Sequence, residues 1–456
     1  WSSDVCSSDL NYMAHIVVIG ASTGGLPFAY DIKKTLGSAH QVSVISNNPN
    51  FNFIPSNPWL AVGWRSEEDI SFELEPRLKR KDINLIVGEA TEIKPNENQV
   101  MVGDQTVDYD YLVLATGPKL AFDEVEGLGP DGHSVSICTT AHAKVASSEW
   151  EAFCNNGGGP IVVGAVQGAS CFGPAYEFAT IMDTDLKKRG IRDKCPMTFV
   201  TAEPYIGHLG LGGVGDSKGL LESEFRNRHI KWITNAKVAS VAADIVTVEE
   251  VDGEGNTIKT HEVATKHTMM LPAFKGVDTV AKLAEVDPGY VNPRGFVMIN
   301  DHQQSPVKDN IFSLGVNIAI PPVEATPVMC GTPKTGYMIE SMVTAVVHNI
   351  EDMIAGNAPS HIPTWNAVCI ADMGDTGAAF VAMPQIPPRN VTWAKKGKMM
   401  HLAKIAFEKF FIRNMKTGNS EPAYQKYIFK MLGIERLKKK RSEERRVGKE
   451  CRSRWS

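Results

Sequence analysis

Sulfur is the most reactive chemistry this chain offers. Away from its ends it carries six cysteines, at positions 138, 154, 171, 195, 330 and 369. Thiols serve as nucleophiles, redox centres or metal ligands. Their spacing is wide and no Cys-x-x-Cys occurs, which excludes a local zinc ribbon or thioredoxin-type pair. The twelve histidines show no metal-ligand spacing with one another or with cysteine, so no metal is expected. One cysteine is singled out by its setting. Cys171 closes the run Gly164-Ala-Val-Gln-Gly168-Ala-Ser-Cys171, where a glycine turn enters a helical pattern. A helix N-terminus favours a thiolate and makes such a thiol nucleophilic. A lone free cysteine is otherwise a small buried hydrophobe.

The elements that must hold these residues alternate between strand and helix. His15–Ile19 reads as a buried strand. It runs into Gly20-Ala-Ser22-Thr-Gly24-Gly25, a helix to about Leu36 and a second strand at Gln41–Ile45. Strand patterns recur at Tyr111–Ala115, Pro160–Val163, Met197–Thr201, Phe296–Asn300 and Ile311–Leu314, with helices at Phe172–Arg189 and Thr335–Ala355. Such alternation predicts parallel sheets. The fold class is therefore α/β, with two nested Rossmann-like dinucleotide-binding domains, the second inserted into the first. The FAD-binding domain is expected over 13–120 and 290–355, the second domain over 121–289, and a C-terminal amphipathic helical membrane-anchoring region over 356–440.

The two glycine turns carry different messages. In the first, Gly20 permits the tight turn, the small Ser22 lets backbone approach a pyrophosphate, and Gly24 and Gly25 let helix and strand pack closely, as FAD requires. Ser46 and Asn47 stand where an acidic residue usually meets the ribose. Ala90, Ala115-Thr116-Gly117 and Gly315 complete the expected FAD contacts. In the second turn Val166 occupies the position where a pyrophosphate needs glycine, and a β-branched side chain obstructs it. The second domain thus has the shape of an NADH domain without its phosphate cradle.

Composition bounds the remaining possibilities. At 456 residues the chain has room for two or three domains, and 43% hydrophobic with 22% charged residues excludes a disordered or fibrous protein. A net charge of −5 hides an asymmetry: residues 394–440 hold eleven Lys and two Arg against three Glu. Within it, Lys395–Met415 places Met399, Leu402, Ile405, Ala406 and Phe410 along a helical face, with Lys404, Lys409 and Arg413 interleaved. Tyr424, Tyr427, Ile428, Met431 and Leu432 give a second apolar stretch. A basic amphipathic pair reads as an anionic membrane surface binder, although the pattern also fits a solvated helix packed on the body. No nucleic acid is expected, since no nucleic-acid module accompanies the patch. No run of about 18 apolar residues exists, so no spanning helix is expected, and no secretory signal pattern is visible. Residues 1–12 and 441–456 lack apolar periodicity, resemble translated sequencing-adapter sequence and are read as non-native extensions.

Five longer segments sharpen the reading: GASCFGPAYEF (Gly168–Phe178), EPYIGHLG (Glu203–Gly210), PKTGYMIESM (Pro333–Met342), WNAVCIADMGD (Trp365–Asp375) and HLAKIAFEKFFIR (His401–Arg413). Over these segments, and from Met13 to about Lys440, the chain resembles bacterial-type sulfide:quinone oxidoreductases of the flavin disulfide-reductase-like superfamily. The resemblance implies that Cys171 and Cys369 are the pair that holds a growing sulfur chain, and Cys138 a third redox cysteine. It further implies site roles for His142, His208 and Glu177, flavin contacts for Lys334 and Gly336, and a quinone sandwiched by Phe407 and Tyr424. Cys154 and Cys195 look structural, and Cys330 matches no family role.

The activity so implied is oxidation of sulfide to polysulfide or elemental sulfur through the cysteine pair and FAD, with reduction of a membrane quinone. Low thiol pKa values, from the helix terminus and nearby histidine, would keep the sulfur anionic. The expected site of action is peripheral, on the bacterial inner membrane, at its cytoplasmic face; a homo-oligomer is compatible with the sequence. Two other enzymes share the fold. A type-II NADH:quinone oxidoreductase needs an intact second glycine turn. A flavocytochrome c sulfide dehydrogenase flavoprotein subunit would carry a signal peptide and pair with a haem subunit.

Overall fold

The computed structural model describes residues 13–420 and 435–438. The extensions 1–12 and 441–456, and Tyr424 with the rest of the second apolar stretch, lie outside the described residues.

Short apolar runs rich in Val, Ile and Leu form two parallel sheets. In the first, the order is Ile311–Ser313, Tyr111–Leu114, His15–Ile19, Gln41–Ser46, Asn84–Val87. In the second it is Ile230–Ile233, Met197–Thr201, Ile161–Ala165, His267–Leu271. The first sheet takes strands from both flanks of the second, as nesting requires. Strands covered on both faces explain the near-continuous hydrophobic runs. Ile16 and Val18 enter one core while Val17 and Ile19 enter another, on the opposite face of the pleat. The helices Gly25–Leu36 and Gly336–Ile354 pack together against the first sheet, and Gly173–Lys188 covers the second.

Two elements differ from expectation. Phe296–Asn300 is not a strand; only Val297 makes isolated bridges, to Val291 and Ile318, and the segment runs as a loop beside a cavity. The C-terminal region is not wholly helical. An antiparallel sheet of Ala367–Asp372, Gly377–Met383 and Val391–Gly397 precedes the helix Lys398–Thr417, so residues 395–397, expected at the start of that helix, are strand. Short runs such as AVCIAD pair only with each other, and their alternation is too brief to be told from a buried helix segment.

Helix Lys398–Thr417 is inverted in polarity. Lys404 and Glu408 are 6% and 3% exposed, while Met399 and Leu402 are 68% and 55% exposed. Lys404 and Glu408 face the body because they find partners there, while Lys409 and Arg413 stay exposed. Lys404 pairs with Glu177 at 3.2 Å, and Glu408 accepts from Arg65 at 2.9 Å and from Ser56 at 2.6 Å. Met399 and Leu402 of the first turns are left outside, whereas Ile412 and Met415 further along are buried.

His267 marks a pH-sensitive point in the core. It lies between Trp150 and Phe153 at ring distances of 5.1 and 5.4 Å, with Nε2 unpartnered. Burial lowers its pKa to about 4. The unfolded chain binds this proton more readily, so the neutral ring's contribution is present above the ordinary histidine value and lost as pH falls toward 4. Chemical denaturation should therefore show stability declining between about pH 6.5 and 4, by at most about 3 kcal/mol from this group, and His267→Phe should flatten that slope. An unchanged slope in the variant would assign the decline to other groups.

Candidate functional site

Three thiols converge from three elements. Cys138 precedes the helix Thr140–Asn155, Cys171 precedes the helix Gly173–Lys188, and Cys369 lies on the strand Ala367–Asp372 opposite Phe380. Cys138 and Cys369 are both close enough to oppose charge on Cys171. Each of the three is a half-buried free thiol. Cys154 and Cys195 are buried elsewhere, near one another, and Cys330 is buried with its Sγ toward the Val328 carbonyl.

The expected lowering of the thiol pKa values does not occur. Burial pushes Cys171 up to about 12, with Cys138, Cys369 and Glu177 adding to the rise and only the Lys334 ammonium opposing it. Cys369 and Cys138 are each pushed up to about 11, mainly by burial. The leading reason is burial, and position adds to it. The helix begins at Gly173, Phe172 caps it, and Cys171 stands one residue further back, short of the dipole's reach.

The histidines divide. His142 Nδ1 lies 3.2 Å from the Ser136 hydroxyl, which also accepts the Cys138 backbone N–H at 3.1 Å, so His142 belongs to the Cys138 corner. His208 is committed elsewhere. Its Nδ1 accepts the Gly210 N–H and its Nε2 meets Glu324 at 2.7 Å, which pins one loop to another. Glu177 is buried and faces Lys404; burial raises its pKa, with the Lys404 charge opposing.

Lys334 emerges as a central charge. It lines a cavity of about 440 Å³ together with Gly168, Ser170, Arg294, Phe296 and Met329. Its ammonium sits 4.8 Å from the Phe296 ring, and burial lowers its pKa to about 8, with Cys171 acting in the opposite direction.

The residues of the first glycine turn fit FAD. A Cβ on Gly20 would meet the Ala115 carbonyl oxygen at 2.2 Å, and one on Gly25 would meet the Gly20 carbonyl oxygen at 1.9 Å, so strand, turn and helix close up only with glycine. Gly24 is the helix N-cap, and the Ser22 carbonyl accepts from Leu26 N–H. Gly20, Ser46, Asn47, Glu89, Ala90 and Thr116 line a second cavity, of about 290 Å³, at the ends of the first-sheet strands. Its place outside the carboxyl ends of parallel strands is where dinucleotides bind. Ser46 differs from expectation: its hydroxyl donates to the Asn48 carbonyl at 2.7 Å and is spent in its own turn. Asn47 remains exposed. Gly117 and Gly315 both hold positive φ, and Gly336 opens its helix next to Lys334. Near Gly315, the Asn317 Oδ1 is buried with no protein partner, an acceptor suited to a cofactor hydroxyl.

The second turn is closed. Val166 is 1% exposed and its N–H donates to Leu271. Gly168 N–H is taken by Met329 and Ala169 N–H by Val166, leaving none of these donors for a pyrophosphate. Gln167 is doubly bonded to Val238. Glu203, just past the strand Met197–Thr201, holds the place of a ribose-binding carboxylate but is fully buried. It accepts from Tyr176, Thr201 and the Leu209 N–H, and burial raises its pKa to about 7. Sequence reading passed over it, although its position after the strand was available as a signal.

Phe407 lies on the Lys398–Thr417 helix, 37% exposed, in an aromatic cluster with Phe53 and Phe411 at 6.0 and 5.8 Å. The buried Phe53 is a further ring that sequence reading did not select.

These features define a class: a two-domain oxidoreductase with one dinucleotide crevice and a dithiol site. The family described as pyridine nucleotide-disulphide oxidoreductase matches residues 14–322. The sulfide-quinone reductase of Aquifex aeolicus (strain VF5) is 43% identical over 418 residues, covering 91% of this chain and 94% of that protein. The X-ray structure of the sulfide:quinone oxidoreductase from the same bacterium superposes with a TM-score of 0.88, covering 94% of this chain and 98% of that one. The type II NADH:quinone oxidoreductase of Staphylococcus aureus (strain NCTC 8325 / PS 47) is more distant, at 22% identity over 84% of this chain and 93% of its own length. The chain belongs to the sulfide-quinone reductase family within the pyridine nucleotide-disulphide oxidoreductases.

In fully reduced protein, alkylation of Cys171 followed by peptide mass spectrometry should accelerate with pH beyond pH 9, because the thiol is held protonated. Lys334→Met should slow it further at fixed pH. A rate that levels off near neutrality would contradict the raised pKa.

Proposed function

We propose that this protein is an FAD-dependent sulfide:quinone oxidoreductase working at a membrane surface. It oxidises sulfide to sulfane sulfur, as polysulfide or elemental sulfur, and reduces a membrane quinone. The observation that supports this most directly is the meeting of Cys138, Cys171 and Cys369 in one place, with Lys334 the cation opposed to Cys171. The closed second turn argues against the NADH-dependent alternative.

FAD, when bound, supplies two-electron chemistry between sulfide and quinone. The chain's own residues prepare the sulfur. Two-electron oxidation of the Cys171 and Cys369 thiols, with loss of two protons and quinone as the terminal oxidant, would give a bridge, and that bridge is the electrophile. Hydrosulfide attacks one of its sulfurs, a new S–S bond forms as the bridge bond breaks, and a thiolate leaves. The bridge itself carries no charge, so the incoming hydrosulfide brings the negative charge. The Lys334 ammonium stabilises the departing thiolate across the cavity it shares with Ser170. Cys138, with Ser136 and His142, forms the adjoining corner where a third sulfur can be held.

On the acceptor side, Phe407, Phe53 and Phe411 offer flat apolar surfaces suited to a quinone head. The exposed Met399 and Leu402, flanked by Lys395, Lys398, Lys409 and Arg413, suit the headgroup layer of an anionic membrane. No described helix is long and apolar enough to cross a membrane, so attachment is peripheral, and we place it on the cytoplasmic face of a bacterial inner membrane.

Anaerobic sulfide should bleach the flavin absorbance, and Cys171→Ser or Cys369→Ser should slow that bleaching by about a hundredfold or more while FAD is retained. NADH should fail to bleach it. Comparable bleaching by NADH, or full activity in both variants, would sink the proposal. A Met399→Asp, Leu402→Asp double variant should lose co-sedimentation with anionic vesicles yet keep turnover with a soluble quinone; undiminished vesicle binding would refute the interfacial role of the stripe.

A further inference from the structure

A second polar cluster adjoins the thiols, where the helix Lys398–Thr417 meets the strand Ala367–Asp372; its Glu177 and Lys404 charges are felt by Cys171 and Cys369. Asp372 is fully buried. Its Oδ2 accepts the Trp59 indole N–H at 2.7 Å, its Oδ1 meets His401 Nδ1 at 2.5 Å, and its backbone N–H donates to Glu177 at 3.1 Å. An ionised carboxylate only accepts, so it fixes the proton of His401 on Nδ1 and leaves the Nε2 lone pair free. The His401 side chain is 25% exposed, whereas that of Asp372 is not exposed at all. The pair therefore runs from solvent into the body.

The groups facing the pair are Glu177 from the helix Gly173–Lys188, Lys404 from its own helix, and Arg65 with Trp59 from the first domain. Arg65 is committed to Glu408. Of the two buried carboxylates, Glu177 is paired with Lys404 and Asp372 with His401.

Quinone reduction consumes two protons and two electrons. Hydrosulfide supplies two electrons but one proton as it becomes sulfane sulfur, so each turnover draws one proton from solvent. We infer that His401, oriented by Asp372, carries that solvent proton into the quinone half-reaction. Nε2 takes the proton from water, Asp372 stabilises the imidazolium, and the proton passes to the quinone oxygen as the electron pair arrives; the ring returns to neutral. Asp372 acts as a positioning residue through His401. The inference rests on the quinone reading of the acceptor side.

The test separates the half-reactions in the holoenzyme. Flavin reduced with stoichiometric dithionite is mixed with a short-chain soluble quinone, and reoxidation is followed across pH. In the wild type the rate should fall as pH rises, because the half-reaction draws a proton from solvent. His401→Gln and Asp372→Asn should slow reoxidation by roughly tenfold or more and flatten its pH profile, while sulfide-driven bleaching in His401→Gln stays at the wild-type rate. Added imidazole should restore reoxidation in His401→Ala. Wild-type rates and an unchanged pH profile in His401→Gln, or no imidazole rescue, overturn the inference. Failure of sulfide to bleach the wild type would instead overturn the sulfide reading, because dithionite bypasses that step.

Discussion

Lys404 and Glu177 are 7% and 8% exposed along their side chains, and their charges meet at 3.2 Å inside the protein. Their partners come from the whole site. Glu177 stands on the helix that follows Cys171 and accepts from the strand that carries Cys369. Lys404 comes from the interfacial helix and donates to the Ile370 carbonyl beside Cys369. One ion pair thus ties the elements beside Cys171 and Cys369 to the helix Lys398–Thr417. Burying two charges is costly, and leaving one of them unpaired costs about 3–5 kcal/mol. That asymmetry specifies an arrangement even where it adds little net stability. It also explains the inverted helix: once Lys404, Glu408 and His401 are drawn inward by Glu177, Arg65 and Asp372, the same 3.6-residue period leaves Met399 and Leu402 outside.

The sulfur side solves an electrostatic problem in the opposite way. Three half-buried thiols held neutral make a poor nucleophile but a good host for an anion that arrives already charged. Lys334, its own pKa lowered to about 8, offers a positive charge that strengthens when a thiolate forms at Cys171. Chemistry that moves negative charge through a low-dielectric cavity needs one such fixed cation, and the Phe296 ring beneath it keeps it in place.

The second domain shows how a fold outlives one of its uses. Its parallel sheet and helix are intact, yet the turn that would cradle a pyrophosphate is filled by its own hydrogen bonds. Glu203, where a ribose would sit, is turned inward onto Tyr176, Thr201 and Leu209. The domain now serves to present Cys171 from the end of that turn.

The sequence by itself determined the two parallel sheets and the first glycine turn. Their signals are local: buried runs, glycine spacing and a period of 3.6 that switches on after Gly25. It also excluded the NADH cradle, since Val166 is a steric statement that needs no tertiary context. The antiparallel sheet at 367–397 was not legible, because its short strands are specified by one another. The commitment of His208 was equally hidden, since its partner Glu324 comes from a loop far away in the chain, while Ser46 is taken up by Asn48 within its own turn. Above all, the thiol chemistry expected of Cys171 was reversed by tertiary structure. A residue at a turn-to-helix junction reads as an activated thiol. Its actual state is decided by what surrounds it, and the body that brings Cys138 and Cys369 together also removes the water that would have kept a thiolate charged.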